Sequence, residues 1–302
     1  NPEEVIAPES PLWDVHKQFL ALGFGIDDML SMEPGERARI MSILYEELGW
    51  GDSGLAISIG AGLIPAMITS LLGNKFCRDI ATDDKLGCWM ITEPDHGTDT
   101  LDPNRMLFHP QGNYGRPNCV VTIKDDALVI NGQKSAWVSN GTIGKVGLLY
   151  AAADIGNGPD TEHGAVVVVP MDTPGITRGK PLDKMGQRAL NQGEIFFDNV
   201  RLSKEHMVAG PEQYQQATYL VHTLANSLMA SIFTGCTICV RPGRELRTRT
   251  QSWRCSHYSA PISGSPPFPY VPHSRGSLCV DSSRSSLQLS GPRHGSSGGH
   301  GR

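Results

Sequence analysis

Trp89-Met90-Ile91-Thr92-Glu93-Pro94-Asp95-His96-Gly97-Thr98-Asp99 is the stretch that decides how this chain folds. A short apolar run stops at a Thr-Glu-Pro step and gives way to hydroxyls, acids and a glycine. That is a strand running into a polar turn, where hydroxyls and free backbone amides can hold a polar ring or a phosphate. A second string, Ile130-Asn131-Gly132-Gln133-Lys134-Ser135-Ala136-Trp137-Val138-Ser139-Asn140-Gly141, reads as a tight turn at Asn131-Gly132, then a strand ending in an aromatic and a hydroxyl. Taken alone, both strings also fit hairpins with solvated polar turns.

Outward from these strings, short apolar or β-branched runs recur. They are Cys88 to Ile91, Cys119 to Ile123, Ala127 to Ile130, Val146 to Ala152, Ala165 to Val169 and Ile195 to Phe197. Gly and Pro punctuate nearly every junction, and Asp125-Asp126 suits a hairpin turn. This spacing predicts a central antiparallel β-barrel-like domain over 87–209 rather than βαβ units. Residues 1–86 read as a helical N-terminal domain. Pro34-Gly35-Glu36 opens an amphipathic helix whose apolar positions Ile40, Met41, Ile43, Leu44 and Leu48 recur at three and four, with Gly49 as its stop. Asp52 or Ser53 caps the next helix. A helical period returns from about Glu212, so 210–235 begins a truncated C-terminal helical domain. The fold class is thus α+β, in several domains.

Gly54 to Asn74 carries no charge over about the length of a membrane span. Gly60, Gly62, Pro65, Ser58, Thr69 and Ser70 within it favour a buried helix over a membrane span. Gly60-Ala61-Gly62 is not a dinucleotide fingerprint, because Pro65 stands where the third glycine belongs and no strand precedes it.

The net charge of −5 gives no reason to expect nucleic acid. The charge is uneven, because residues 236–302 carry nine Arg, no Lys and only two acids, Glu245 and Asp281. Ser, Pro, Gly and Arg supply 38 of those 67 residues, without periodicity. Such a composition buries too little apolar surface to offset chain entropy, so 236–302 is expected to be a disordered tail, a genuine basic tail or the product of a shifted frame. Cys77, Cys88 and Cys119 sit among apolar neighbours and read as small core residues in a reducing compartment. Cys236, Cys239, Cys255 and His257 have zinc-ligand types, but the tight second pair argues against a metal. Asp95, His96 and Asp99 read as a solvated turn, with His96 exposed. The segment from Leu101 to Pro117, with Arg105, Phe108, His109, Tyr114 and Arg116, suits a lid or an interface loop. No signal peptide is seen, and the first residue, Asn1, suggests a processed form or fragment.

The order and spacing of the two strings resemble the acyl-CoA dehydrogenase family. That family has a strand followed by Thr-Glu-Pro, then Gly-Ser or Gly-Thr and Asp; further on it has Asn-Gly-x-Lys and Trp-Ile-Thr-Asn-Gly. Tyr45-Glu46-Glu47-Leu48-Gly49 resembles the helices under its acyl pocket. Lys184-Met185-Gly186-Gln187-Arg188, with Glu194 to Arg201, resembles its last β-domain strand. The resemblance covers roughly residues 36–235. It implies an FAD flavoprotein, an oxidoreductase of fatty acid metabolism that dehydrogenates an acyl-CoA to the 2,3-enoyl-CoA. Backbone at Trp89 and Ile91 would line the isoalloxazine, and the Thr92 hydroxyl would bond its polar edge. Trp137 and Val138 would pack beside it, and the Ser139 hydroxyl would reach N5. Thr98 would contact pyrophosphate or the CoA arm of the substrate. The resemblance further implies an electron-transfer flavoprotein as acceptor, a homo-oligomer, and a cytoplasmic or mitochondrial-matrix setting. The family's base is a Glu of the C-terminal helical domain, and it has no counterpart here, so the catalytic residue is left unassigned. A flavin monooxygenase on the same scaffold, or a non-catalytic subunit or inactive fragment, are the alternatives.

Overall fold

Helices fill the first part of the chain, and side-chain oxygens at the starts of four of them accept from the free amides of the first turn. In the computed structural model, which describes residues 1–97, 99 and 115–240, these helices are α1 (Pro2–Val5), α2 (Pro11–Ala21), α3 (Ile26–Ser31), α4 (Pro34–Gly51), α5 (Ser53–Leu71) and α6 (Lys75–Ile80). Ser10, Asp52 and Asn74 cap α2, α5 and α6 with side-chain oxygens. The expected buried helix is α5. Among the described residues it is the one helix long and apolar enough to cross a membrane, and most of it is buried.

Among the described residues eight strands follow: β1 (Gly87–Met90), β2 (Cys119–Ile123), β3 (Ala127–Lys134), β4 (Val146–Asp154), β5 (Asp160–Pro170), β6 (Ile176–Arg178), β7 (Ile195–Ser203) and β8 (Met207–Ala209). The sheet order is β6-β7-β3-β2-β4-β5-β8, with β1 added on β4. Asp125-Asp126 does turn the β2–β3 hairpin, where Ile123 faces Leu128. Two expectations fail. The sheet is open, with β6 and β8 at its ends, and it is mixed rather than antiparallel, since β1 and β2 both run parallel to β4.

The seam between those two strands positions everything that follows. β1 pairs with Val146 to Leu149 of β4, and β2 pairs with Ala152 to Asp154. They lie end to end on one edge of β4. The β4 backbone at Tyr150 and Ala151 therefore lacks a strand partner on that side.

β4 is buried on both faces, which explains its unbroken apolar run. Val146, Leu148 and Tyr150 join α5, Val166 and Val168 in one core. Leu149, Ala151 and Ala153 join Val121, Ile130 and Val167 in another. The final helix, α7 (Tyr214–Val240), packs into the first core through Tyr214, Ala217 and Val221. It runs five residues beyond Gly235, where a tail was expected.

Glycine sets the closest approaches. Gly49 is not a helix stop; α4 continues to Gly51, and a Cβ at Gly49 would strike the Ile232 carbonyl of α7. From the other side, a Cβ at Gly235 would strike the Glu46 carbonyl and lie 2.7 Å from the Trp50 nitrogen. Nor does Asn131-Gly132 make a turn. It is an irregularity within β3, where Gly132 has φ 119° and Asn118 leaves no room for a side chain. The expectations for the 101–114 part of the long loop, for Thr98 and for residues 241–302 fall outside the described residues.

Candidate active site

The two strings that opened the sequence meet at the seam. The Trp89 amide donates to the Ser139 carbonyl at 3.3 Å, and the Ser135 amide donates to the Thr92 carbonyl at 2.9 Å. The Thr92 and Ser135 hydroxyls lie 2.7 Å apart, and the Trp137 amide donates to Ser135 Oγ. Two hydroxyls hold two hydrogens, and their mutual bond uses one. The pair therefore keeps one O–H donor whichever way the bond runs.

Beneath them lies a buried ion pair that sequence reasoning missed. Lys134, wholly buried, donates to Glu93 Oε1 at 2.7 Å, to the Ile91 carbonyl at 2.8 Å and to the Tyr150 carbonyl at 2.6 Å. Its ammonium fills the gap where β1 and β2 part, supplying donors that a continuous ladder would have given. The second oxygen of Glu93 accepts from the Asn118 amide at 2.6 Å. Glu93 is thus fully engaged in framing the turn and is not poised as a base. The Asn-Gly-x-Lys string carries no local sign that its lysine is buried, because burial of a charge needs long-range partners that local pattern does not reveal.

The turn after Thr92 is also ordered. His96 is buried, against the expectation of exposure. Its Nδ1 lies 2.7 Å from Asp99 Oδ2 and its Nε2 lies 2.8 Å from the Arg116 carbonyl. Burial acts to lower its pKa, but the Arg116 carbonyl and the Asp99 carboxylate outweigh this and raise it. Asp95 accepts from Asn118 Nδ2. Among the described residues no group of three or more His, Cys, Asp or Glu is arranged to hold a metal.

The outer wall comes from 182–192. Gln192 bridges to Ser139, donates through Nε2 to the Trp137 carbonyl at 2.9 Å, and accepts from Lys184 Nζ at 2.9 Å. Burial pushes the Lys184 ammonium down to about 8. Trp137 stands 62% exposed beside this wall, an aromatic surface next to two hydroxyl-bearing segments.

The predicted residues divide accordingly. Trp89, Ile91, Thr92, Trp137 and Ser139 converge. Trp89 Nε1 is buried without a hydrogen-bond partner among the described residues, whereas the Ile91 carbonyl is occupied by Lys134. Val138 goes inward: its side chain is buried in the second core and its carbonyl accepts from Gly141. It can shape the turn but offers no side-chain surface to a ligand.

Residues 88–200 match the family model described as acyl-CoA dehydrogenase, middle domain. The chain is 27% identical over 176 residues to the mitochondrial short-chain specific acyl-CoA dehydrogenase of Rattus norvegicus, covering 56% of this chain and 39% of that one. It is 29% identical over 175 residues to the glutaryl-CoA dehydrogenase of Desulfococcus multivorans, covering 56% and 41%. The chain therefore spans less than half the length of these relatives. Butyryl-CoA dehydrogenase from Megasphaera elsdenii superposes with a TM-score of 0.52 at 25% identity, over 64% of this chain and 48% of that one.

Proposed function

Because the chain belongs to the acyl-CoA dehydrogenase family, we propose that the seam of its sheet holds the isoalloxazine of FAD, in the service of α,β-dehydrogenation of an acyl-CoA. The observation that carries this is the convergence of Trp89, Thr92, Ser135 and Ser139 beside the exposed Trp137. The residues suit the group. Trp137 offers a flat face, the Thr92–Ser135 pair keeps one O–H donor beyond its mutual bond, and Ser139 offers a hydroxyl. FAD would supply the hydride acceptor of the reaction. The chain's own residues bind and orient: Lys134 and Glu93 fix the Thr-Glu-Pro turn, and the Gln192 bonds fix the backbone of Trp137 and Ser139.

The acyl α-proton needs a carboxylate base. Glu93 does not serve, because Lys134 and Asn118 occupy it. In this proposal residues 1–86, 87–209 and 210–235 are the N-terminal helical, β and C-terminal helical parts of a family member. Thr98 would contact substrate or pyrophosphate. Family resemblance further supports proposing an electron-transfer flavoprotein as acceptor and a homo-oligomeric assembly, and the mitochondrial names among the relatives support the mitochondrial matrix, or the cytoplasm, as compartment.

Titration of the purified chain with FAD, followed by flavin fluorescence, tests the proposal. Ser139→Ala and Thr92→Val should each weaken binding by about tenfold, the worth of one hydrogen bond to a partly buried ring. A wild-type chain that cannot be loaded with FAD would overturn it. Enoyl-CoA formation with an artificial electron acceptor then separates a dehydrogenase from a monooxygenase.

A further inference from the structure

We propose that His16, Ser58 and Asn140 form a positioning relay that runs from the N-terminal helices to the Ser139 hydroxyl. It rests on the assignment of Ser139 to the flavin site. Asn140 is wholly buried and sits at φ 58°, a left-handed conformation that asparagine tolerates better than most residues. Its Nδ2 donates to the Ser58 carbonyl at 2.8 Å and to the Gly87 carbonyl at 3.1 Å. Two carbonyls on one side fix the amide orientation, so Oδ1 faces Ser58 Oγ at 2.8 Å as acceptor.

The rest follows from counting hydrogens. The single hydroxyl hydrogen of Ser58 is committed to Asn140. His16 Nε2, 3.2 Å from Ser58 Oγ, must therefore donate. Burial pulls the His16 pKa down to about 4, so above that pH the ring is neutral and carries its hydrogen on Nε2. Side-chain donation thus runs one way, from His16 Nε2 to Ser58 Oγ to Asn140 Oδ1. The other end is equally fixed. The Asn140 amide donates to the Asn191 carbonyl at 2.7 Å, and the Asn140 carbonyl accepts from Gly144 at 2.7 Å. Asn140 directly follows Ser139, whose own carbonyl is bound by Trp89. With its own carbonyl bound and the next residue pinned, the backbone of Ser139 is held, and with it the direction in which its Cα–Cβ bond presents the hydroxyl. None of the three relay residues contacts the proposed ring itself; they act through Ser139.

Ser58→Ala, His16→Leu and His16→Gln test the relay in two readouts: amide exchange of the FAD-free chain and FAD affinity. Ser58→Ala and His16→Leu should speed exchange across residues 135–144 by about tenfold beyond any global change, and weaken FAD binding to a similar degree. His16→Gln keeps an Nε2–H donor and should stay within about threefold of wild type. Exchange that changes only in step with global stability would overturn the relay. So would a His16→Leu variant that matches wild type in both readouts. Should the wild-type chain not bind FAD, the flavin assignment fails, and with it the link from relay to ring. Normal FAD binding with unaltered local exchange in Ser58→Ala sinks the relay alone.

Discussion

Replacing Lys134 by Met should be among the most damaging single changes in this chain. The side chain is 0% exposed and makes three bonds of 2.6–2.8 Å, to Glu93, Ile91 and Tyr150. Methionine fills similar volume, so cavity formation is minor. What remains is a carboxylate that is 7% exposed and has only the Asn118 amide, together with two carbonyls at the seam that lose their donor. Removing one partner of a buried pair costs roughly 3–5 kcal/mol, mainly because the other is left uncompensated. With a urea m-value of roughly 2–3 kcal/mol/M, the unfolding midpoint should fall by about 1–2.5 M. Lys134→Met with Glu93→Gln removes the stranded charge and should recover at least about half the loss, roughly 2 kcal/mol relative to the single variant. A single variant that loses under about 1 kcal/mol would refute the seam argument. A double variant no more stable than the single would refute it too.

Three further outcomes follow from the same structure. Tyr150→Phe should be neutral or stabilising by up to about 1 kcal/mol in urea unfolding, because the phenol oxygen is buried without a partner among the described residues and its removal relieves that cost. His96 should titrate by NMR above its ordinary 6.5, and since its folded value is the higher one, its stabilisation is complete below pH 6.5 and fades as pH rises through the folded midpoint; Asp99→Asn should lower that midpoint. Gly235→Ala should cost roughly 1–3 kcal/mol by urea unfolding, since its methyl would meet the Glu46 carbonyl and force α4 and α7 apart.

What the sequence makes legible here is local, and what it hides is long-range. Period and punctuation suffice for α4, α5, the Asp125-Asp126 hairpin and the apolar run of β4, because each depends on neighbours in the chain. Asn131-Gly132 misleads for the same reason. The pair favours a turn by itself, yet β7 pairs along β3 on one side, β2 lies on the other, and the left-handed glycine becomes an irregularity in a continuing strand. Gly49 misleads likewise, since the absence of a side chain serves the approach of Ile232, which is far away in the chain. The site shows the contrast most sharply. Trp89, Thr92, Trp137 and Ser139 are visible because they lie in short strings. Their frame is not, since Lys134 reaches Glu93 across 41 positions and Asn140 reaches Ser58 across 82. A buried lysine and a buried asparagine look like surface residues in any one-dimensional pattern. The worth of Lys134 comes from the seam, where two parallel strands share one edge of β4 and leave carbonyls for it to satisfy, and that of Asn140 from the Ser58 and Gly87 carbonyls it ties to the turn. The groups that would touch a flavin are therefore readable locally, whereas the groups that hold them still require the topology.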